Sequence, residues 1–299
     1  MTNREIKIVA DGFTYTEGPR WHNGELWFVD FYTKTVNRVD AEGTVHAMAT
    51  VEGQPSGLGW LPDDTLIIVS MKDKKVLRLE DDGSLSLYAD IEPFCNGYAN
   101  DMVVAPNGNA YIGHFGFDLM GGGDHELADV LLVRPNGQVE VVARELSFPN
   151  GMVITPDEKT LIVNELFGNR ISKFDILADG TLGPRQDFAN YGWPGDEPDW
   201  QKRVANATIA PDGLTLDAEG AVWAADTNNA RAVRIADGGA ILDEVSVAPD
   251  GVFAVALGGA DGRSLFLSLA PDFDETARSA VREAKVGVVK ADVPHAGTP

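Results

Sequence analysis

Six oxygen-bearing residues stand at comparable points along the chain: Glu17, Ser56, Asn100, Asn150, Asp212 and, at a longer spacing, Asp250. They precede short apolar segments starting at Leu26, Leu66, Ala110, Leu161, Val222 and Leu265 by 9, 10, 10, 11, 10 and 15 residues. None of the six is Lys or Arg. Brought to one place, their carboxylates would repel each other unless a positive charge joined them. Carboxylate and carboxamide oxygens suit a hard divalent cation, Ca²⁺ first, with Zn²⁺, Mg²⁺ or Mn²⁺ as further options. The set offers no thiolate for a softer metal. Any one Asn or Asp before Gly serves equally well as a turn residue. The matched register of the whole set is what points to a metal.

The apolar segments belong to a repeat. Leu26–Asp30, Leu66–Ser70, Ala110–His114, Leu161–Glu165, Val222–Asp226 and Leu265–Leu269 read as short strands starting 40, 44, 51, 61 and 43 residues apart. Each is preceded by another strand across a turn of suitable chemistry, such as Asn23-Gly24, Asn107-Gly108 or Glu219-Gly220. Each is followed by an alternating strand such as Val36–Asp40, Val76–Glu80 or Ile171–Asp175. With an outer strand closing each unit, this predicts six repeats of four strands, an all-β six-bladed β-propeller. A single domain over 1–299 is expected, with the segment Ile6–Val9 closing the ring on the last blade. Helical signal is confined to Glu275–Glu283. Longer gaps at Phe115–Ala128 and Asn190–Ala210 read as lid or binding loops.

Composition narrows the partners. With 24 Lys and Arg against 46 Asp and Glu, the chain carries a formal charge of −22. Nucleic acid and anionic membrane surfaces are therefore poor partners. The one cysteine, Cys95, excludes an internal disulfide framework and a CxxC metal site. No secretory h-region and no apolar run of membrane-spanning length is visible, so a cytoplasmic location is expected. A small-molecule ligand is expected, on a monomer or weak homo-oligomer.

Glu17-Gly18-Pro19, Asn100-Asp101, Pro149-Asn150-Gly151 and Pro211-Asp212-Gly213, in this order and on these repeats, resemble the signature of the SMP-30/gluconolactonase/LRE-like family. That resemblance implies a six-bladed propeller with one divalent metal at the channel mouth. It implies Glu17, Asn150 and Asp212 as metal ligands, with Asn100 completing the sphere or holding substrate. It makes Asp118 an acidic substrate-binding residue. Tyr98 stands where several sugar lactonases of the family carry Arg, a departure that weighs against a polyhydroxy sugar-acid lactone. The apolar loop residues Phe115, Phe117, Leu119, Met120, Tyr191 and Trp193 weigh the same way.

Such a site would hydrolyse a lactone or related ester: the metal polarises the carbonyl and Asp212 serves as base or, as the alternative, nucleophile. Asp101 is a reserve base, and His114 is placed for substrate contact or proton transfer at the end of a strand. Two other readings use the same scaffold: a biosynthetic rearrangement, dehydration or cyclisation, and a non-catalytic binding propeller. Other chemistries lack their motifs. His125-Glu126 begins like HExxH, but Asp129 stands in place of the second His. No GxSxG, GxGxxG or GxxxxGK[ST] occurs.

Overall fold

A computed structural model describes residues 4–297, so the outermost ends of the expected 1–299 domain lie outside the described residues. The chain opens with β1 (Lys7–Phe13). It then lays down five consecutive four-stranded sheets. The first comprises β2 (Thr16–His22), β3 (Glu25–Asp30), β4 (Thr35–Val39) and β5 (Val45–Thr50). The second comprises β6 (Pro55–Trp60), β7 (Leu66–Ser70), β8 (Lys75–Leu79) and β9 (Leu85–Asp90). The third comprises β10 (Ala99–Val104), β11 (Ala110–His114), β12 (Ala128–Val133) and β13 (Val139–Leu146).

The fourth sheet holds β14 (Pro149–Ile154), β15 (Thr160–Glu165), β16 (Arg170–Asp175) and β17 (Gln186–Asn190). The fifth holds β18 (Pro211–Leu216), β19 (Val222–Asp226), β20 (Arg231–Ile235) and β21 (Ile241–Ser246). The sixth holds β22 (Gly251–Gly258), β23 (Ser264–Ala270) and β24 (Ala284–Lys290), completed by β1 on its outer edge. All pairings are antiparallel, and β1 joins β24 with Lys7 opposite Val288 and Phe13 opposite Ala284. This is the expected six-bladed propeller, closed as expected by the N-terminal strand. The closure pairs the sixth blade's outer edge within the chain.

Between blades the faces are apolar. Phe28, Ile67, Tyr111, Leu161 and Trp223 are buried in the second strands. Each such side chain contributes about 1.5–3 kcal/mol relative to exposure. Toward the axis the packing is tighter still, because the first strands of neighbouring blades nearly touch. A Cβ on Gly57 would lie 2.6 Å from the Met102 amide nitrogen, and one on Gly151 would lie 2.6 Å from that of Leu214. Only glycine fits at such an approach.

Among the described residues two short α-helices interrupt the pattern, besides one 3-10 turn at Glu92–Phe94. The helix α2 (Glu275–Ser279) falls within the expected segment. The helix α1 (Trp200–Ala205), inside the long loop before the fifth blade, was not expected from the sequence. It forms because the Asp199 carboxylate accepts the amides of Gln201 (3.0 Å) and Lys202 (3.4 Å), an N-cap that six residues of weak periodicity do not advertise.

Candidate active site

The first strand of every blade carries a bulge at the same place. Register slips by one residue between Glu17 and Arg20, Pro55 and Leu58, Ala99 and Met102, Pro149 and Met152, and Pro211 and Leu214. A bulge bends the strand and re-aims one side chain out of the pleat. Ser56, Asn100, Asn150 and Asp212 lie inside the slip, and Glu17, still opposite Val29, stands at its edge. In the sixth blade the slip lies between Val252 and Ala254, so the equivalent residue is Phe253. Asp250, assigned to that position from spacing, stands three residues earlier and pairs with Lys285 Nζ at 2.8 Å.

Glu17, Asn100, Asn150 and Asp212 form the floor of a cavity of about 420 Å³ at one mouth of the channel. All but Glu17 are buried, with Glu17 half-buried. Ser56 is diverted: its hydroxyl donates to the Asn100 carbonyl at 2.7 Å, fixing the neighbouring strand. From below, the Asn164 amide donates to the Asp212 carbonyl at 2.6 Å. The Glu17 carboxylate accepts the Gly18 amide at 2.8 Å.

Electrostatically the floor is an anion trap in reverse. Burial pushes the Glu17 carboxyl up to about 8, and the nearby Asp101 charge adds to the rise. Burial, then Glu17 and Asp101, raise Asp212 well above the usual carboxylate range, against a hydrogen bond from Asn150. Lys72, the one lysine on the cavity wall, is held by Glu275 at 2.8 Å.

This donor chemistry fits a hard divalent cation. The mutually repelling carboxylates of Glu17 and Asp212 and two carboxamides converge with no unpaired cation among the described cavity-lining residues. The Asn100 Nδ2 is buried without a hydrogen-bond partner, so turning the amide to present its oxygen would break no hydrogen bond. Among the described residues no three His, Cys, Asp or Glu side chains cluster at metal-binding distance. A set with two carboxamides is not of that kind.

The other sequence expectations divide. Tyr98 lines the cavity, packed on Phe115 with ring centroids 5.9 Å apart. His114 does not border it. Its Nε2 accepts the Asp129 amide at 3.0 Å and its Nδ1 faces the Asn96 carbonyl at 3.1 Å, which assigns the Nδ1–H tautomer. Burial lowers its pKa, so the ring is held neutral.

The reason lies in the repeat. The residue ending the second strand ties down the segment that enters its own blade. Asp30 accepts the amide of Tyr15, Glu165 that of Ser147 and Asp226 that of Ala210. His114 does this work in the third blade. Asp118 is exposed and accepts the Gly121 amide at 2.9 Å in a local turn, away from the cavity. Asp101, the reserve base, lies beneath the floor in a buried ion pair with Arg20 at 2.6 Å.

The cavity's side wall was largely missed. Phe31, Phe148, Phe167, Trp200, Phe253 and Phe273 line it, together with Tyr15 and Met71. Tyr15, two residues before Glu17, has its phenol held protonated by burial and by the charges of Glu17 and Asp212. Of the expected lid residues, Phe115, Leu119 and Met120 reach the cavity. Phe117 packs behind it on Phe167 at 5.9 Å. Tyr191 donates to the Gly239 carbonyl, and Trp193 lies outside under Arg203, 4.4 Å from its ring. The N-cap of α1 instead turns Trp200 and Val204, one helical turn apart, into the cavity. One signal was readable: Phe148 directly precedes Pro149-Asn150.

A propeller with a buried acid-amide floor at one channel mouth defines the class. The model of the SMP-30/gluconolactonase/LRE-like region matches residues 15–271, and the chain belongs to that family. It is 25% identical to a pentonolactonase of Haloferax volcanii, over 88% of this chain and 84% of that protein. It is 23% identical to regucalcin of Bos taurus, over 86% and 83% of the two chains. Among solved structures it is similar to a calcium-binding protein, regucalcin, from Agrobacterium tumefaciens, with a TM-score of 0.78 at 21% identity over 99% and 97% of the two chains. Among the described residues no helix is long and apolar enough to cross a membrane.

Proposed function

We propose that the protein is a divalent-metal-dependent hydrolase of a lactone or related ester. The observation that carries this reading is the convergence of Glu17, Asn100, Asn150 and Asp212 at the floor of a small-molecule-sized cavity. Kinship with a pentonolactonase supports the reaction class, and a calcium-binding relative by name supports Ca²⁺ first. Glu17, Asn150 and Asp212 would hold the ion, with Asn100 as the fourth donor. When bound, it would polarise the ester carbonyl, stabilise the oxyanion that develops there and lower the pKa of water.

The chain's own groups supply the rest. Asp212 is the base that takes the proton of attacking water, because its carboxylate has a second oxygen and borders the cavity. The Asn164 hydrogen bond to its carbonyl holds that strand in place. The largely apolar wall lowers the local dielectric, which strengthens the interactions of the charges on the floor. Asp118 and His114 have no part in this mechanism, and Tyr98 contacts the substrate from the wall.

A pH-stat screen over a lactone panel with Ca²⁺ present tests the reaction. Acid release that disappears with chelator is expected. Bound metal without acid release from any lactone would favour a biosynthetic enzyme on the same scaffold.

A further inference from the structure

Resting on the hydrolase reading, we propose that the substrate is an uncharged lactone or ester bearing a flat, apolar ring system. The ring stands against the aromatic wall and the carbonyl meets the floor. The cavity has two unlike sides. From the third blade round to α1 it presents Tyr98, Phe115, Phe148, Phe167 and Trp200. Phe148, Phe167 and Trp200 form one continuous aromatic cluster: Phe148 and Phe167 meet edge-on, with centroids 5.3 Å apart and planes at 62°, and Phe167 tilts against Trp200 at 5.7 Å and 30°. Trp200 carries the cluster on to Phe273, tilted at 53° with centroids 5.9 Å apart. Edge-on and tilted rings present apolar edges and faces against which a further flat ring packs.

The opposite side is charged, but its charges are spent. Asp250 is paired with Lys285 at 2.8 Å, Asp272 with Arg278 at 3.1 Å and Glu275 with Lys72 at 2.8 Å. No unpaired cation among the described wall residues would receive a carboxylate or phosphate. A polyhydroxylated ring pressed on the aromatic wall would lose hydroxyl–water hydrogen bonds that the ring faces there do not replace, at a cost of about tenfold or more in affinity per buried, unpaired hydroxyl. A benzo-fused or comparably flat ring loses nothing there and buries its faces. The volume of about 420 Å³ limits the ligand to small-molecule size.

The test compares two six-membered lactones, one polyhydroxylated (an aldono-1,5-lactone) and one benzo-fused (3,4-dihydrocoumarin). Rates are followed by pH-stat with Ca²⁺ present, and binding of the inert lactam 3,4-dihydro-2-quinolinone by calorimetry. The benzo-fused lactone is expected to have a kcat/KM at least ~100-fold higher. Trp200→Ala should raise its KM about tenfold relative to the KM of the polyhydroxylated lactone, with kcat within about twofold. Trp200→Phe, which keeps a ring and guards against a folding defect, should recover most of that loss. A preference for the polyhydroxylated lactone, or a Trp200→Ala effect equal on both, overturns the proposal.

If neither lactone is hydrolysed, the lactam decides. Millimolar or tighter binding that Trp200→Ala weakens keeps the ligand class and rejects the hydrolase reading. Undetectable lactam binding rejects the ligand class.

Discussion

The floor and the wall of the cavity are built by different means. The floor comes from the repeats: one bulged residue per blade, held by glycine-tight contact between strands and by buried hydrogen bonds such as Asn164 to Asp212. The wall is mixed: Phe31, Met71 and Phe115 directly follow second strands and Tyr15, Tyr98 and Phe148 stand two residues before floor residues, while the loops 115–127, 191–210 and 271–283 with their short helices add Leu119, Trp200 and Phe273. The floor is polar and fixed by topology. The wall is largely apolar, and its residue types vary from blade to blade and with loop sequence. Chemistry placed on the first and specificity on the second can change independently.

Substitutions can break that division. The largest effect belongs to the floor. Asp212→Asn should lower kcat/KM by about 10³-fold or more by pH-stat, because it removes a metal donor and the base together. A wall change of similar size, such as Trp200→Ala, is expected to act on KM alone. Next comes the scaffold beneath the floor. A Cβ at Gly151 would meet the Leu214 nitrogen at 2.6 Å and the Asp212 carbonyl oxygen at 2.8 Å. Gly151→Ala should therefore destabilise by about 1–3 kcal/mol in urea unfolding. Gly192, in the loop before α1, has no neighbour within 4 Å and a φ of +94°. There alanine should cost about 1 kcal/mol, through backbone strain alone.

A pH titration separates the regions further. With chelator present, Glu17 has a folded pKa of about 8 against 4.5 when unfolded. Between those values the folded state binds the extra proton, so its contribution is complete below about pH 4.5 and is lost as pH rises to about 8. The melting temperature of chelated protein should fall across that window. Glu17→Gln should flatten the fall, and Ca²⁺ should oppose it by binding the ionised form. The smallest effect is at the rim. Lys72 and Glu275 are part-exposed, so Lys72→Ala removes a contact worth about 1 kcal/mol or less. KM should change by no more than about threefold.

The same division explains what could be read from the sequence. Blade order, the closing strand and Glu17, Asn100, Asn150 and Asp212 were legible because repeats repeat: turn chemistry, strand and ring residue recur in register. Where a repeat departs from the others, spacing misled. Asp250 matched in type, but the bulge in β22 gives the sixth position to Phe253. His114 looked like a lone functional histidine because its relation to Asp30, Glu165 and Asp226 is visible only through the entering segments they hold, by loop amides in those three cases and by the Asn96 carbonyl in its own. Asp101 looked like a free acid until Arg20, eighty-one residues earlier, came across the channel to it. The wall was harder to read: its repeat positions, such as Phe31, Met71 and Phe115, share a place but not a residue type, and its loop residues have no repeat at all. Trp193 and Trp200 share one loop, and an N-cap at Asp199 decides which of them faces the cavity.

The central claim is that the floor binds one hard divalent cation. Calorimetric titration of Ca²⁺ into chelator-treated protein near pH 8, with Glu17→Gln and Asp212→Asn alongside, tests it most directly. One ion per chain, with affinity lost or greatly weakened in both variants, is the predicted result. No binding by the wild-type chain, or binding that both substitutions leave unchanged, would contradict it.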